Sequence, residues 1–180
     1  MGKIVSSFFI SLDSVVESPD QWHFPYFNDE MGNAVGKAME PIEAFLMGRV
    51  LYDEWASYWP TSEDEPIAST FNNMPKYVVS RTLREATWNN TTIISGDVAA
   101  GIRDLKNSIA GDIGMSGSAT LVRWLLANGL LDQLNLLVHP IAVGKGQRLF
   151  EDTPTHPLRL VSQETFSTGV LNLVYAPADA

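Results

Sequence analysis

Short apolar segments rich in β-branched residues alternate with helix-like segments along most of this 180-residue chain. This alternation favours a largely parallel sheet with helices on both faces, because each helix that joins two parallel strands must pack against the sheet. The last two segments flank Ser167, Thr168 and Gly169, and they predict a closing antiparallel hairpin. We predict about eight strands, at residues 3–12, 43–47, 76–80, 91–95, 113–115, 134–138, 158–166 and 170–175.

About four helices are predicted between these strands. The first has apolar residues at helical spacing over 31–39, with Asn28 as its cap and Pro41 after its end. The others cover residues 51–59, follow Asp97, and follow Ser118, where Gly129 suits the helix end. Residues 13–28 form an irregular, aromatic segment typical of a lid or binding loop, and residues 61–74 are predicted to be a polar loop. Since no repeat or linker interrupts the pattern, we expect a single α/β domain over residues 1–180.

The composition excludes several classes of partner. A net charge of −9 and a pI of about 4.7 leave no broad basic surface for nucleic acid. The absence of cysteine excludes thiol chemistry, and the three scattered histidines do not predict a metal site. The apolar runs are too short to span a bilayer. Asp13 and Glu17 stand where a signal peptide would need small residues, so we expect a first strand and a cytoplasmic protein.

Glycines, hydroxyl groups and arginines follow four of the predicted strands. In an open α/β sheet, ligands bind outside the carboxyl ends of the strands. Free N–H groups at helix N-termini and the bidentate guanidinium of arginine both suit phosphate, so this edge predicts a site for a molecule such as a dinucleotide. A simple turn at Gly117 and a surface ion pair at Arg49 are the alternatives for those residues taken alone. The four strand ends are Gly48-Arg49, Ser80-Arg81-Thr82, Gly96-Asp97 and Ser116-Gly117-Ser118.

Several segments together resemble the dihydrofolate reductase superfamily. In chain order they are SFFISLDSVVE, FLMGRVLYDEW, KYVVSRTL, GMSGSATLVRWLLANGLLDQLNLLVHPIAVGKGQRLF and FSTGVLNLVY. The chain is most similar to the branch that contains the reductase domain of the bifunctional riboflavin-biosynthesis deaminase/reductase and its stand-alone bacterial relatives. The resemblance implies a three-layer dihydrofolate reductase-like fold with a mostly parallel central sheet, NADPH as the cofactor, and a homodimer.

The resemblance also implies which residues contact the cofactor. Gly96 is added to these residues because it follows a predicted strand. They are Gly48, Arg49 and Val50 beside the phosphates, Ser80, Arg81 and Thr82 around the adenosine phosphate, and Gly117, Ser118, Ala119 and Thr120 at the pyrophosphate turn. An arginine at position 81 would favour NADPH over NADH. Two positions depart from the family pattern: Ser116 replaces the first glycine of a pair, and Ser14 replaces a glycine after the first strand. The serine at 14 predicts a turn without a positive φ.

Three carboxylates are candidates for handling the substrate or a proton. Asp29 and Glu30 lie near the position of the carboxylate that handles the pterin in dihydrofolate reductases, although acids also suit the first turn of a helix. Asp13 could bond a substrate amide or simply form a turn. The aromatic segment could cover a planar ring or could be fixed to the core by its aromatic side chains. His23, in this segment, is a further candidate for a general acid. His139 is expected to be structural.

Two functions remain open at this point. The first is an NADPH-dependent reductase that transfers a hydride to a small planar heterocycle, either pterin-like or a pyrimidine precursor of flavins. The second is a non-catalytic, nucleotide- or metabolite-binding homodimer of the same fold, because a fold does not determine a function and no proton donor is secure. The very apolar carboxyl-terminal third of the chain could be core or, in part, a subunit interface.

Overall fold

Eight strands form one sheet in the computed structural model, which describes residues 1–178 and leaves 179 and 180 of the predicted domain outside. The strands are β1 (Ile4–Ser11), β2 (Ile42–Gly48), β3 (Lys76–Val79), β4 (Thr91–Ile94), β5 (Asp112–Ser116), β6 (Gln133–His139), β7 (Leu158–Thr165) and β8 (Leu171–Pro177). Their order is β4-β3-β2-β5-β1-β6-β8-β7. The pairs from β4 to β6 are parallel, whereas β8 runs antiparallel to β6 and β7. The predicted parallel sheet with a terminal hairpin is confirmed.

Helices cover both faces of this sheet. They are α1 (Asp29–Met39), α2 (Arg49–Tyr58), α3 (Ile67–Asn73), α4 (Val98–Ser108) and α5 (Ala119–Ala127). On one face, α4 and α5 bury residues such as Ile102 and Leu125 in the largest apolar cluster. On the other face, α1 packs near β6, while α2 and α3 pack over β2 and β3. The three predicted layers are therefore present, and none of the helices within residues 1–178 is long and apolar enough to cross a membrane.

The sequence signals at the helix ends act as predicted. The side-chain oxygen of Asn28 accepts a hydrogen bond from the backbone N–H of Met31 at 3.0 Å, which satisfies one of the free amides at the start of α1. Gly129 follows α5 with a φ of +64°, a conformation that glycine adopts without steric cost. This turn lets the N–H groups of Gly129 and Leu130 bond back to carbonyls of the last helical turn.

The segment 61–74, predicted as a polar loop, contains α3 instead. Phe71 of this helix packs against Phe45 of β2, with ring centroids 5.1 Å apart. Beyond the helix end, the buried ammonium of Lys76 donates to the carbonyl oxygens of Phe71 and Met74 at 2.7 and 2.8 Å. A helix this short is marginal in water by itself, so contacts with distant residues stabilise it. The loop prediction was wrong because it considered only the local pattern.

The turn after β1 also differs from the prediction, because Ser14 has a φ of +70°. A positive φ costs a residue other than glycine about 1–2 kcal/mol. Two backbone hydrogen bonds offset this cost: the N–H of Ser14 donates to the carbonyl of Ser11 at 2.9 Å, and the N–H of Leu149 donates to the carbonyl of Ser14 at 3.0 Å. The expectation of a turn without positive φ was wrong because these contacts outweigh the preference of serine.

Candidate cofactor groove and substrate pocket

An open groove of about 1570 Å³ lies across the carboxyl ends of β2, β3, β4 and β5. All of the predicted cofactor residues except Thr82 line this groove. The backbone N–H of Thr82 donates a hydrogen bond to Ser80 Oγ at 3.2 Å. Those that line it are Gly48, Arg49, Val50, Ser80, Arg81, Gly96, Gly117, Ser118, Ala119 and Thr120. Residues from four separate segments therefore meet at one edge of the sheet, as the position of the strand ends requires.

Two helices begin at this groove, and the N–H groups of their first turns have no acceptor among residues 1–178. The N-cap residues, Gly48 of α2 and Ser118 of α5, make no side-chain hydrogen bond to their own helix. Instead, Ser118 Oγ accepts a hydrogen bond from the backbone N–H of Gly48 at 2.9 Å, which ties the two helix starts together. Free N–H groups and the positive ends of two helix dipoles are favourable surroundings for an anion.

The turn that precedes α5 has an uncommon backbone conformation. Gly117 and Ser118 have φ values of +94° and +62°. A Cβ atom on Gly117 would lie no closer than 3.8 Å to Leu51, so the backbone conformation, rather than lack of space, favours glycine here. At Ser118 the conformation is strained, and strain of this kind is often retained at binding sites.

Arg49 and Arg81 add positive charge to the groove. Arg49 Nε pairs with the carboxylate of Asp53, one turn further along α2, at 2.7 Å, so the surface ion pair considered for this residue is present. Its terminal nitrogens make no hydrogen bond within residues 1–178. Arg81 is exposed and pairs with no carboxylate in the same part of the chain. Backbone amides together with two guanidinium groups form a set of donors that fits the phosphates of a dinucleotide.

A second cavity, of about 730 Å³, lies between α1 and the sheet. Its volume falls within the range of about 300–1,000 Å³ that is typical of small-molecule sites. The cavity, called the α1 pocket below, meets the groove at Ser7, Phe8, Phe9 and Ser116, which line both. Two adjoining cavities can hold a cofactor and a second molecule in contact with each other at their junction.

A row of polar side chains crosses the floor of the α1 pocket. Ser116 of β5, Ser7 of β1 and Asn135 of β6 are paired across the parallel strands, so they lie on the same face of the sheet. Asn135 Nδ2 donates to Ser7 Oγ at 3.3 Å, and Asn135 Oδ1 accepts from Gln133 Nε2 at 2.9 Å. Ser116 belongs to one of the predicted strand ends, whereas Ser7, Gln133 and Asn135 were not predicted site residues. The signal was present, because Gln133 and Asn135 are polar residues two positions apart in a strand that is otherwise apolar up to His139 at its end.

The aromatic segment packs beside the junction of the two cavities. His23 is buried and stacks on Phe9, with ring centroids 4.5 Å apart, and the ring of His139 lies 6.0 Å from that of His23. Burial lowers the pKa of both histidines, so both are neutral at pH 7. The segment is pinned to the core by these contacts, although Phe27 still reaches the α1 pocket. A neutral, buried His23 is poorly suited to act as a general acid.

Asp13 is held by the glycine loop that follows β6. Its carboxylate oxygens accept hydrogen bonds from the backbone N–H groups of Val143 and Gly144 at 2.9 and 2.7 Å. The hydroxyl of Ser11 donates to the same carboxylate at 2.6 Å, and this bond, together with those from the loop, lowers the pKa of Asp13 to about 2. Asp13 lines neither cavity. Its geometry is that of an ionised carboxylate that anchors a loop.

An Asp13→Asn variant should be less stable than the parent protein at neutral pH, because an amide accepts with only one oxygen and carries no charge. A lowered pKa stabilises the folded state above the unfolded value of 3.8, and this contribution is lost as the pH falls through about 2. The difference in unfolding free energy between the two proteins should therefore narrow as the pH falls from about 4 to about 2. Urea unfolding at a series of pH values measures it; a difference that does not change with pH would contradict this role.

Asp29 and Glu30 occupy the first turn of α1 and line neither cavity. Glu30 accepts hydrogen bonds from the backbone N–H of Ser167 and from Asn28 Nδ2, each at 2.8 Å, and from the hydroxyl of Ser167. The bonds from Ser167 lower the pKa of Glu30 and join α1 to the turn between β7 and β8. Asp29 is exposed beside it. Among residues 1–178, no group of three or more His, Asp or Glu side chains is arranged to hold a metal ion.

Residues 2–172 match the RibD C-terminal domain. The chain belongs to the RibD C-terminal domain family. The matched range includes the groove, all of the predicted cofactor residues, and every residue that lines the α1 pocket except Val174. The uncharacterized protein YyaP of Bacillus subtilis is 29% identical to this chain over 179 residues, which are 96% of this chain and 94% of YyaP.

Solved structures share the fold of this RibD C-terminal domain protein. A proposed riboflavin biosynthesis protein from Shewanella has a TM-score of 0.81 and 19% identity, with 98% of this chain and 99% of that chain covered. Dihydrofolate reductase from Enterococcus faecalis, solved as a complex with NADP(H), has a TM-score of 0.66 and 12% identity, with 99% and 98% covered. At these identities the likeness shows the fold alone, and it confirms the predicted dihydrofolate reductase-like fold.

Proposed function

We propose that this chain is an NADPH-dependent reductase that acts on a small planar heterocycle, either pterin-like or a pyrimidine precursor of flavins. One observation carries the proposal: two uncapped helix N-termini and two arginines converge on a groove that opens into an apolar pocket. Membership of the RibD C-terminal domain family supports it. The fold shared with a dihydrofolate reductase that was solved with NADP(H) is consistent with it.

In this proposal the groove binds the cofactor mainly through its phosphates. The amides that follow Gly117 and Ser118 bind the pyrophosphate, with the start of α2 at Gly48 beside them. Arg81 binds the additional phosphate that distinguishes NADPH from NADH. When bound, NADPH supplies a hydride to the molecule in the α1 pocket. Ser7 and Phe9, which line both cavities, lie where the two molecules meet.

The three carboxylates predicted to handle the substrate or a proton receive structural roles in this proposal. Asp13 anchors the glycine loop, and Glu30 joins α1 to the terminal hairpin. Asp29 suits the positive end of the α1 dipole. None of them lines a cavity, and the acids among residues 1–178 that line the groove do not also line the α1 pocket. We therefore propose that water delivers the proton for the reduction.

Addition of NADPH should raise the melting temperature. At a concentration of 100 times the dissociation constant, a ligand that binds only the folded state stabilises it by about 2.7 kcal/mol. For a domain of this size, that corresponds to roughly 5–11 °C. NADH should produce a smaller shift, because it lacks the phosphate assigned to Arg81. Differential scanning fluorimetry measures both shifts, and no shift with either nucleotide at millimolar concentration would overturn the proposal.

The second candidate is a non-catalytic homodimer of the same fold that binds a nucleotide or metabolite. It is favoured because no acid among residues 1–178 lines both cavities. It is also favoured by exposed apolar residues on the terminal hairpin, where Leu160 and Val161 are 48% and 51% exposed in the single chain. A protein that sediments as a dimer and binds NADPH, but oxidises it with no pterin or pyrimidine, would favour this candidate. The cytoplasmic location remains a prediction.

A further inference from the structure

Residues 18–27, in the middle of the aromatic segment, form part of the wall of both cavities. Ser18, Pro19 and Asp20 line the groove, and Phe27 lines the α1 pocket. Within the described chain, every hydrogen bond made by this stretch has its partner in the same stretch or in Glu17 just before it. No hydrogen bond therefore joins residues 18–27 to the strands beneath them, and side-chain packing alone holds them there.

Two histidines form the centre of this packing. His23 stacks on Phe9 of β1 with an angle of 13° between the ring planes. His139 is fully buried at the end of β6, and its ring centroid lies 5.2 Å from that of Trp22 and 5.7 Å from that of Tyr26. Among residues 1–178, each pair of aromatic rings that joins the stretch 18–27 to the strands includes one of the two histidines.

The packing leaves one nitrogen of each ring buried without a hydrogen-bond partner among residues 1–178. These atoms are His23 Nδ1 and His139 Nε2. His139 Nδ1 lies 2.8 Å from the carbonyl oxygen of Leu137, which can only accept, so Nδ1 carries the hydrogen of the neutral ring. A further proton would therefore be added at Nε2, in apolar surroundings. Burial lowers the pKa of His139 for this reason, although the carbonyl oxygens of Leu137 and Ile10 oppose the effect in part.

Few charges act on the two rings. Burial is the largest cause of the lowered pKa of His23, and the neighbouring His139 lowers it further. The carboxylate of Asp20, in the same stretch, opposes both effects. Tyr26 is the other titratable side chain whose ring contacts His139, and β1 contributes the uncharged Phe9. Two imidazolium rings with centroids 6.0 Å apart would repel each other, so the closed packing requires both rings to be neutral.

We propose that His23 and His139 form an acid-sensitive latch, and that protonation of either ring releases residues 18–27 and opens the groove and the α1 pocket together. In the released form His23 is in water and has the ordinary histidine pKa of 6.5, so this form takes up protons more readily than the closed form. The closed form is therefore favoured above pH 6.5. Below that value it loses population to the open form, by up to about tenfold per pH unit for each proton taken up.

Hydrogen exchange of the protein without nucleotide tests the latch. Peptides that cover residues 18–27 are compared with peptides from α4, which lies in the largest apolar cluster, at pH 7.0 and pH 5.5. After correction for the intrinsic exchange rate of the amides, opening of residues 18–27 should rise about three- to tenfold at the lower pH, with α4 unchanged. No rise in residues 18–27, or an equal rise in α4, would overturn the proposal.

His23→Phe and His156→Phe are a matched pair of variants. Phenylalanine at position 23 keeps a ring that stacks on Phe9 but takes up no proton, so the rise in exchange should fall to about half on a logarithmic scale. His156 lies outside the latch, beside Thr153, and its variant should respond as the parent does. A full rise in His23→Phe would contradict the latch. If that variant does not fold, NMR titration of the histidine rings in the parent replaces it, and a midpoint of His23 or His139 above pH 6.5 overturns the proposal.

Binding of NADP⁺ shows whether the latch controls the groove. Phosphate groups also take up a proton near pH 6, so the parent and His23→Phe are compared at the same pH. NADP⁺ should bind the two proteins equally at pH 7.0 and should bind His23→Phe about threefold more tightly at pH 5.5. Equal binding at both pH values would overturn control of the groove. If NADP⁺ binds neither protein, the reductase proposal fails, and the exchange result still decides whether the latch exists.

Discussion

Replacing Gly117 with valine is expected to weaken NADPH binding about 100-fold, a loss of about 2.8 kcal/mol. Valine is branched at Cβ and does not adopt a φ of +94° without strain, so the turn before α5 must change its conformation. The amides of the first turn of α5 then no longer converge with the start of α2, and the binding site for the pyrophosphate is lost. Titration calorimetry with NADPH measures the effect.

The matched control is Gly129→Val, at the other end of the same helix. Gly129 has a φ of +64° and lies outside the groove, so valine introduces a similar backbone strain without touching the proposed site. This variant should lose stability but keep the NADPH affinity of the parent protein. Equal losses of affinity in the two variants would show that general destabilisation, and not the geometry of the turn, causes the effect.

Much of the fold could be predicted because its signals are local. The strand predicted at residues 3–12 is β1 (Ile4–Ser11), and the caps at Asn28 and Gly129 are where their residue types indicate. Helix α3 could not be predicted in this way, because its stability depends on Phe45 and Lys76, which lie outside it in the sequence. Local propensity contains no information about such contacts.

The cofactor groove was more predictable than the pocket beside it. Gly48 and Ser118 are 70 residues apart, yet both follow strands of a parallel sheet, and topology alone brings them to the same edge. The polar row at Ser7 and Asn135 depends on the pairing of β1 with β6, which the sequence does not state. Glu30 is near the predicted position, but its side chain is directed to Ser167, 137 residues away. Side-chain partners at this separation require the structure.

The preference for NADPH over NADH is expected to fall about tenfold in Arg81→Ala, with NADH affinity unchanged. A hydrogen bond to a charged group contributes about 1.5–3 kcal/mol, and because Arg81 is exposed, screening by solvent places its effect at the lower end of that range. Arg84→Ala removes the same charge from an exposed position outside the groove, so both affinities should be unchanged in this control. Titration of each variant with both nucleotides distinguishes a specific contact from a general loss of positive charge, since the latter would weaken NADPH binding in both variants.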